Sequence, residues 1–206
     1  MPEGLFVTLE GIDGAGKTTV GDALSEEFDA VMTSEPSPYW TGEQVRRALR
    51  EETPSAFVDF LLFMADRAAH IEDRIKPALE DGQNVISDRY ADSTRVYQAP
   101  QLKPLLGSEG QTEYYIETVM DPWSLEPDLT LFLDISIDTA MERIDADEKY
   151  ETRENLVDVR TRYKELAKKK DRILFVNGEK PLNEVIERCR RLIEIEQNKE
   201  RLISDE

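Results

Sequence analysis

Eight consecutive residues, Gly11-Ile12-Asp13-Gly14-Ala15-Gly16-Lys17-Thr18, fit the spacing G-x-x-x-x-G-K-[ST], and Thr19 follows them. Glycines at this spacing let a backbone approach a phosphate closely and aim a row of N–H groups at it. A helix that starts there adds a partial positive charge. Lys17 reaches the β/γ-phosphates as a point charge, and the Thr18 hydroxyl can ligate Mg²⁺. This is the chemistry of holding a nucleoside triphosphate.

Two other groups carry chemical potential. Asp88-Arg89-Tyr90 closes a short apolar run, and open α/β sheets bind ligands outside the carboxyl ends of their strands. An aspartate there can hold Mg²⁺ through water, and an arginine can clamp a phosphate bidentately. Phe63, Arg67 and His70 form a stripe at helical spacing. An aromatic and an arginine one turn apart can stack on a planar ring and hydrogen-bond it. Spacing alone favours a surface arginine covering a half-buried phenylalanine.

These groups need elements to hold them. Leu5 to Leu9 read as a buried strand, and Val20, Ala23, Leu24 and Phe28 follow at helical spacing, the context the glycine loop requires. Residues 30–33, 84–87, 129–133 and 173–176 supply four more short strands. A helix bearing Val45, Ala48 and Leu49 precedes a much longer one, opened by Thr53-Pro54 and running to about Glu80. Its core stripe is Phe57, Phe60, Leu61, Met64, Ala68, Ile71 and Ile75. Pro100 and Pro104 break the pattern after Gln98, and residues 101–110 show no period. Helices are expected over 112–120, around Ala140 and Ile144, through Leu156, Val159, Tyr163 and Leu166, and from about Leu182. Strands alternate with helices throughout. That order predicts an α/β fold, one domain spanning residues 1–206, with a parallel five-stranded sheet and helices on both faces.

Composition narrows the partners. The chain carries 44 acidic and 26 basic residues, a net charge of −18. Such a surface repels DNA and RNA backbones, so nucleic acid is not an expected partner. Lysine is the scarcer cation, 10 against 16 arginines, and a strongly acidic surface suits a halophile's cytoplasm, where salt screens repulsion. The first residues lack a basic region and an apolar core, and no apolar run reaches membrane length, so a soluble cytoplasmic protein is expected. Cys189, the single cysteine, lies among Val185, Ile186, Leu192 and Ile193 and reads as a core residue.

Taken in order, Phe6-Val7-Thr8-Leu9-Glu10, the glycine loop, Glu35-Pro36, Leu61 through Arg67, Asp88-Arg89-Tyr90 with Ser93 and Tyr97-Gln98, and Pro127 through Leu131 resemble thymidylate kinase. The resemblance implies a P-loop nucleoside monophosphate kinase fold with a short lid over about residues 144–153. It implies transfer of the γ-phosphoryl group of ATP to dTMP with Mg²⁺, giving dTDP, by a homodimer. Residues 11–19 and Arg143 would bind ATP, and Thr18 and Asp88 would hold Mg²⁺. Phe63 would stack on thymine and Arg67 would bond its exocyclic oxygen. Arg89 would hold the acceptor phosphate. Tyr97 would press where a ribose hydroxyl would sit. Asp13, Glu35, Ser93 and Gln98 complete the substrate set, with Asp13 near the 3′-hydroxyl and the acceptor phosphate.

The chain departs from the family pattern in three places. Ser34 stands where arginine is usual before Glu-Pro, Ala99-Pro100 stand where glycine is frequent, and the lid is acidic. Gly14 follows Asp13 where some relatives place an arginine over the transferring group. Among Arg143, Lys149 and Arg153, the position before Tyr150-Glu151 makes Lys149 the expected catalytic cation, beside Lys17, Asp13 and Arg89. Two other readings stay open: a kinase for another nucleoside or nucleotide, and a P-loop regulatory NTPase. The second lacks a well-placed Asn-Lys-x-Asp.

Overall fold

The computed structural model describes residues 4–51, 53–144 and 151–204. Five parallel strands form one sheet: β1 (Phe6–Glu10), β2 (Val31–Ser34), β3 (Val85–Asp88), β4 (Leu129–Asp134) and β5 (Ile173–Asn177). Their spatial order is β2-β3-β1-β4-β5, so β1 lies at the centre, with Val7 between Ile86 and Leu129. β1, β3 and β4 are buried along their whole length, which is why they read as nearly continuous apolar runs rather than alternating ones. The order reverses at β1, where chain connections leave to opposite sides. The crevice beyond its carboxyl end is the place where such sheets bind ligands.

Helices α1 (Lys17–Glu27), α8 (Arg153–Lys169) and α9 (Leu182–Ser204) share one core with the sheet, built from residues such as Leu24, Leu131, Tyr163 and Cys189. Burial pushes the Cys189 thiol up to about 12, so it behaves as a small apolar side chain. A second core joins Phe6, Phe60, Ile75, Tyr90, Leu102 and Met120. Helices α3 (Ala56–His70), α5 (Ala91–Leu106) and α6 (Glu109–Met120) supply most of it, and α2 (Trp40–Arg50) packs on α3.

Three expectations need correction. The long helix is α3, one π-helical turn at Ile71–Ile75, and α4 (Lys76–Glu80). Within it, Leu61 is 54% exposed and not in the core, because α3 turns that face outward with Val58 beside it. Pro100 and Pro104 do not end the helix; both lie inside α5. An interior proline costs about 3 kcal/mol in a helix. Here Val96, Ala99 and Leu102 bury themselves around the prolines, and that packing outweighs the local loss. The chain then reverses at Gly107 (φ 101°), and Ser108 and Gln111 form a reciprocal capping box that starts α6. The S-x-x-Q spacing was the available signal in the sequence.

Of the expected lid, Ile144 and residues 151–153 are described, and Lys149 lies outside the described residues. Among the described residues, no helix is long and apolar enough to cross a membrane.

Candidate active site

The glycine loop joins β1 to α1. Gly11 (φ 151°) has no room for a side chain: a Cβ would stand 2.6 Å from the Leu133 carbonyl oxygen. Gly16, the residue before α1, adopts φ 84°, a left-handed conformation open to glycine. Lys17 opens the helix, is buried, and donates from Nζ to the Ile12 carbonyl at 3.1 Å. Burial and the nearby Arg89 guanidinium lower the Lys17 pKa, opposed by Asp88, Asp13 and Glu10. Arg143, on α7 (Ile137–Arg143), donates to the Gly14 carbonyl at 3.0 Å, on the outer side of the same loop. Lys17, Thr18 and Thr19 form the first turn of α1, with both threonines exposed.

Thr18 Oγ1 donates to Asp88 Oδ2 at 2.6 Å, while Asp88 Oδ1 is buried with no hydrogen-bond partner among the described residues. A hydroxyl beside a carboxylate with one unused oxygen is a donor set that suits a hard divalent cation such as Mg²⁺.

Asp88 ends β3, and Arg89 follows it at φ 69°. From that left-handed position its guanidinium meets three groups at once. Nη2 donates to Asp13 Oδ1 at 2.5 Å and to Tyr97 Oη at 3.3 Å, and Nη1 donates to Ser93 Oγ at 3.2 Å. The guanidinium carbon also lies 5.0 Å from the Tyr97 ring centroid. The Tyr97 hydroxyl in turn donates to Asp13 Oδ2 at 3.2 Å. Burial works against the Arg89 charge, but Asp13 and the neighbouring acidic groups hold its pKa well above the ordinary value. The result is a fixed cation between the glycine loop and a cavity behind it.

That cavity is lined by every residue expected on the substrate side: Asp13, Glu35, Phe63, Arg67, Arg89, Ser93, Tyr97 and Gln98. Arg67 is not a surface residue. It is 1% exposed and holds Glu35 through Nε at 3.0 Å and Nη2 at 2.6 Å, with its guanidinium 5.1 Å from the Tyr90 ring centroid. His70 is equally buried, with Nδ1 3.3 Å from Glu35 Oε1 and Nε2 2.6 Å from Thr33 Oγ1. Burial pushes the Glu35 carboxyl up, yet Arg67 and His70 leave it below its ordinary value. The Glu35-Pro36 peptide bond is cis, and Asp66 anchors the next residue by accepting from the Ser37 N–H and hydroxyl. Gln98 Oε1 is buried and has no hydrogen-bond partner among the described residues.

Leu49, Thr94 and Glu151 also line the cavity and escaped the sequence reading. Leu49 sits on the apolar stripe of α2, indistinguishable there from a core residue. Thr94 and Glu151 had no local signal. A larger cavity of about 300 Å³ lies among α5, α6 and α8, lined by paired charges such as Arg162 and Glu109. It contains none of the residues above, so size alone does not identify the site.

A family model described as thymidylate kinase matches residues 9–189. A probable thymidylate kinase of Halobacterium salinarum is 38% identical over 164 residues, 79% of this chain and 81% of that protein. Another, of Methanococcoides burtonii, is 36% identical over 190 residues, covering 89% and 92%. The solved thymidylate kinase of Candida albicans superposes with a TM-score of 0.81 at 25% identity, covering 96% of this chain and 93% of that one.

Proposed function

The chain belongs to the thymidylate kinase family, and from that premise we propose that it transfers the γ-phosphoryl group of ATP to dTMP, giving dTDP and ADP. It is an ATP-dependent phosphotransferase. The observation that carries the substrate reading is the Asp13–Arg89 contact, which makes one residue of the triphosphate loop and one phosphate-binding arginine walls of the same cavity. Donor and acceptor phosphates would therefore meet there, and phosphoryl transfer asks mainly for such positioning and for charge neutralisation.

Each residue has a task in this reading. The loop N–H groups and Lys17 hold the donor phosphates, and Arg143 supports the ATP side. Thr18 and Asp88 would hold Mg²⁺, which would supply positive charge to offset that of the donor phosphates. Arg89 orients the acceptor phosphate, helped by Ser93 and by Asp13. Phe63 stacks on the base, and Arg67, fixed by Glu35 and by an Nη1 contact to Met120 Sδ at 3.1 Å, presents a remaining N–H to a keto oxygen. Gln98 Oε1, buried and without a hydrogen-bond partner among the described residues, would accept from an N–H of the base. Tyr97 fills the space a 2′-hydroxyl would need. Lys149 supplies the lid cation. The exposed apolar face of α3 at Val58 and Leu61 supports a homodimer, and the acidic surface supports a cytoplasmic protein without nucleic-acid partners.

A coupled assay with ATP, Mg²⁺ and a panel of nucleoside monophosphates tests the reading. The expected result is the highest kcat/KM for dTMP. A higher value for a purine or cytosine nucleotide would overturn it.

A further inference from the structure

Arg89 holds an uncommon backbone conformation for a residue with a side chain, since a left-handed φ brings its Cβ too close to the backbone. It persists where surrounding bonds over-determine it. Both peptides around Arg89 are pinned. Its own N–H donates to the Leu9 carbonyl at 2.9 Å, and its carbonyl accepts from Ser87 Oγ at 2.8 Å. The next N–H, that of Tyr90, donates to Glu10 Oε1 at 2.9 Å.

Glu10 is the last residue of β1, fully buried, one position before the glycine loop. Its carboxylate collects four donors. Oε1 accepts from the N–H groups of Tyr90 and, at 3.2 Å, Ser93; Oε2 accepts from Ser93 Oγ at 2.6 Å and Tyr163 Oη at 2.7 Å. Tyr90 precedes α5 and caps nothing with its own side chain, so Glu10 reaches across from β1 to satisfy the first turn of that helix. Because the Ser93 hydroxyl donates to Glu10, its lone pair turns toward Arg89 Nη1. Tyr163 belongs to α8, the helix that follows the lid.

We infer that Glu10 is a positioning residue for the acceptor phosphate: it locks the Arg89–Tyr90 peptide and the Ser93 hydroxyl so that the Arg89 guanidinium faces the cavity. The inference rests on the proposed kinase reading and adds to it a residue that touches neither nucleotide. Burial and the Asp92 carboxylate raise the Glu10 pKa to about 7, against the hydrogen bonds from Ser93 and Tyr163. A carboxylate kept in so unfavourable a place fits a positioning task better than a stabilising one.

Glu10→Gln keeps the shape but puts an amide NH₂ where Oε2 stood, so the Ser93 and Tyr163 hydroxyls must rotate to accept from it and the Ser93 lone pair no longer turns toward Arg89 Nη1. Tyr163→Phe removes one donor from outside the cavity. Steady-state kinetics with each nucleotide varied in turn is the test. In Glu10→Gln the KM for dTMP rises about tenfold or more while the KM for ATP stays within about twofold. Tyr163→Phe shifts the same constant in the same direction by less. Parallel rises in both KM values, or an unchanged KM for dTMP in folded Glu10→Gln, would overturn the inference. Wild-type protein inactive on dTMP would instead remove the kinase reading itself. Melting curves of both variants identify any failure to fold, and Tyr163→Phe then carries the test alone.

Discussion

Arg89 Nη2 lies 2.5 Å from Asp13 Oδ1, joining the glycine loop to the elbow after β3. Burial pushes the Asp13 carboxyl up, but the Arg89 guanidinium and the Lys17 ammonium outweigh it and hold the group at about 2. A folded-state value below the ordinary 3.8 means that the unfolded chain takes up this proton first as the solution is acidified. The contact thus contributes stability that is full above about pH 4 and is lost as pH falls through about 2. Melting temperatures across that window should fall less steeply in Asp13→Asn than in the parent. Equal slopes would show that Asp13 does not govern the acid limb.

Glu35 and Arg67 form a buried pair on the cavity wall, with side chains 4% and 1% exposed. Removing one partner strands the other charge, which for buried pairs costs about 3–5 kcal/mol. Glu35→Gln is therefore expected to lower the denaturant midpoint sharply, and Glu35→Gln combined with Arg67→Met to recover part of the loss. A midpoint unchanged by the single substitution would mean that water reaches the pair.

Lys17→Ala should leave a folded protein with kcat reduced ~10²-fold or more, because the ammonium acts on charge that develops in the transition state. Circular dichroism and turnover are measured on the same preparation. Near-normal turnover would remove the loop lysine from phosphoryl transfer.

Tyr97 now has two separable parts. Its ring occupies space beside the cavity, and its hydroxyl serves Asp13 and Arg89. Tyr97→Phe should keep the preference for dTMP over its ribonucleotide while weakening dTMP binding. Tyr97→Ala should narrow that preference, by up to ~1–3 kcal/mol for a group of this size. The ratio of kcat/KM values decides, and an unchanged ratio in Tyr97→Ala would show that another group reads the sugar.

On either side of the expected lid, Arg153 Nη2 is held by Asp138 Oδ1 at 2.6 Å, and Arg143 is occupied at the Gly14 carbonyl. Lys149→Ala is expected to lower kcat with little change in the KM for dTMP, and Arg153→Ala to do neither. A kcat within about threefold of the parent in Lys149→Ala, under ~0.7 kcal/mol of barrier, would remove Lys149 from the mechanism.

What the sequence determined by itself is local. The triphosphate loop was legible because its chemistry depends on eight contiguous residues and on the strand and helix that flank them. β1, β3 and β4 were legible because burial on both faces leaves nearly uninterrupted apolar runs, while β2 and β5, only partly buried, were legible as short apolar or β-branched runs between helices. Family resemblance added the substrate residues, whose individual spacing carried no such information. Tertiary structure decided the rest. Arg67 and His70 stand at the spacing of a surface stripe, yet Glu35, 32 and 35 residues away, makes their burial affordable. Pro100 and Pro104 read as helix breakers, and packing around Leu102 overrode them. Nothing near Glu10 in the chain marks it as more than a strand end. Its partners stand 80, 83 and 153 residues further on, and only the folded sheet brings their four donors to one carboxylate. Backbone geometry acts between neighbours in sequence. Charge and hydrogen bonding act between neighbours in space, and those the sheet order chooses.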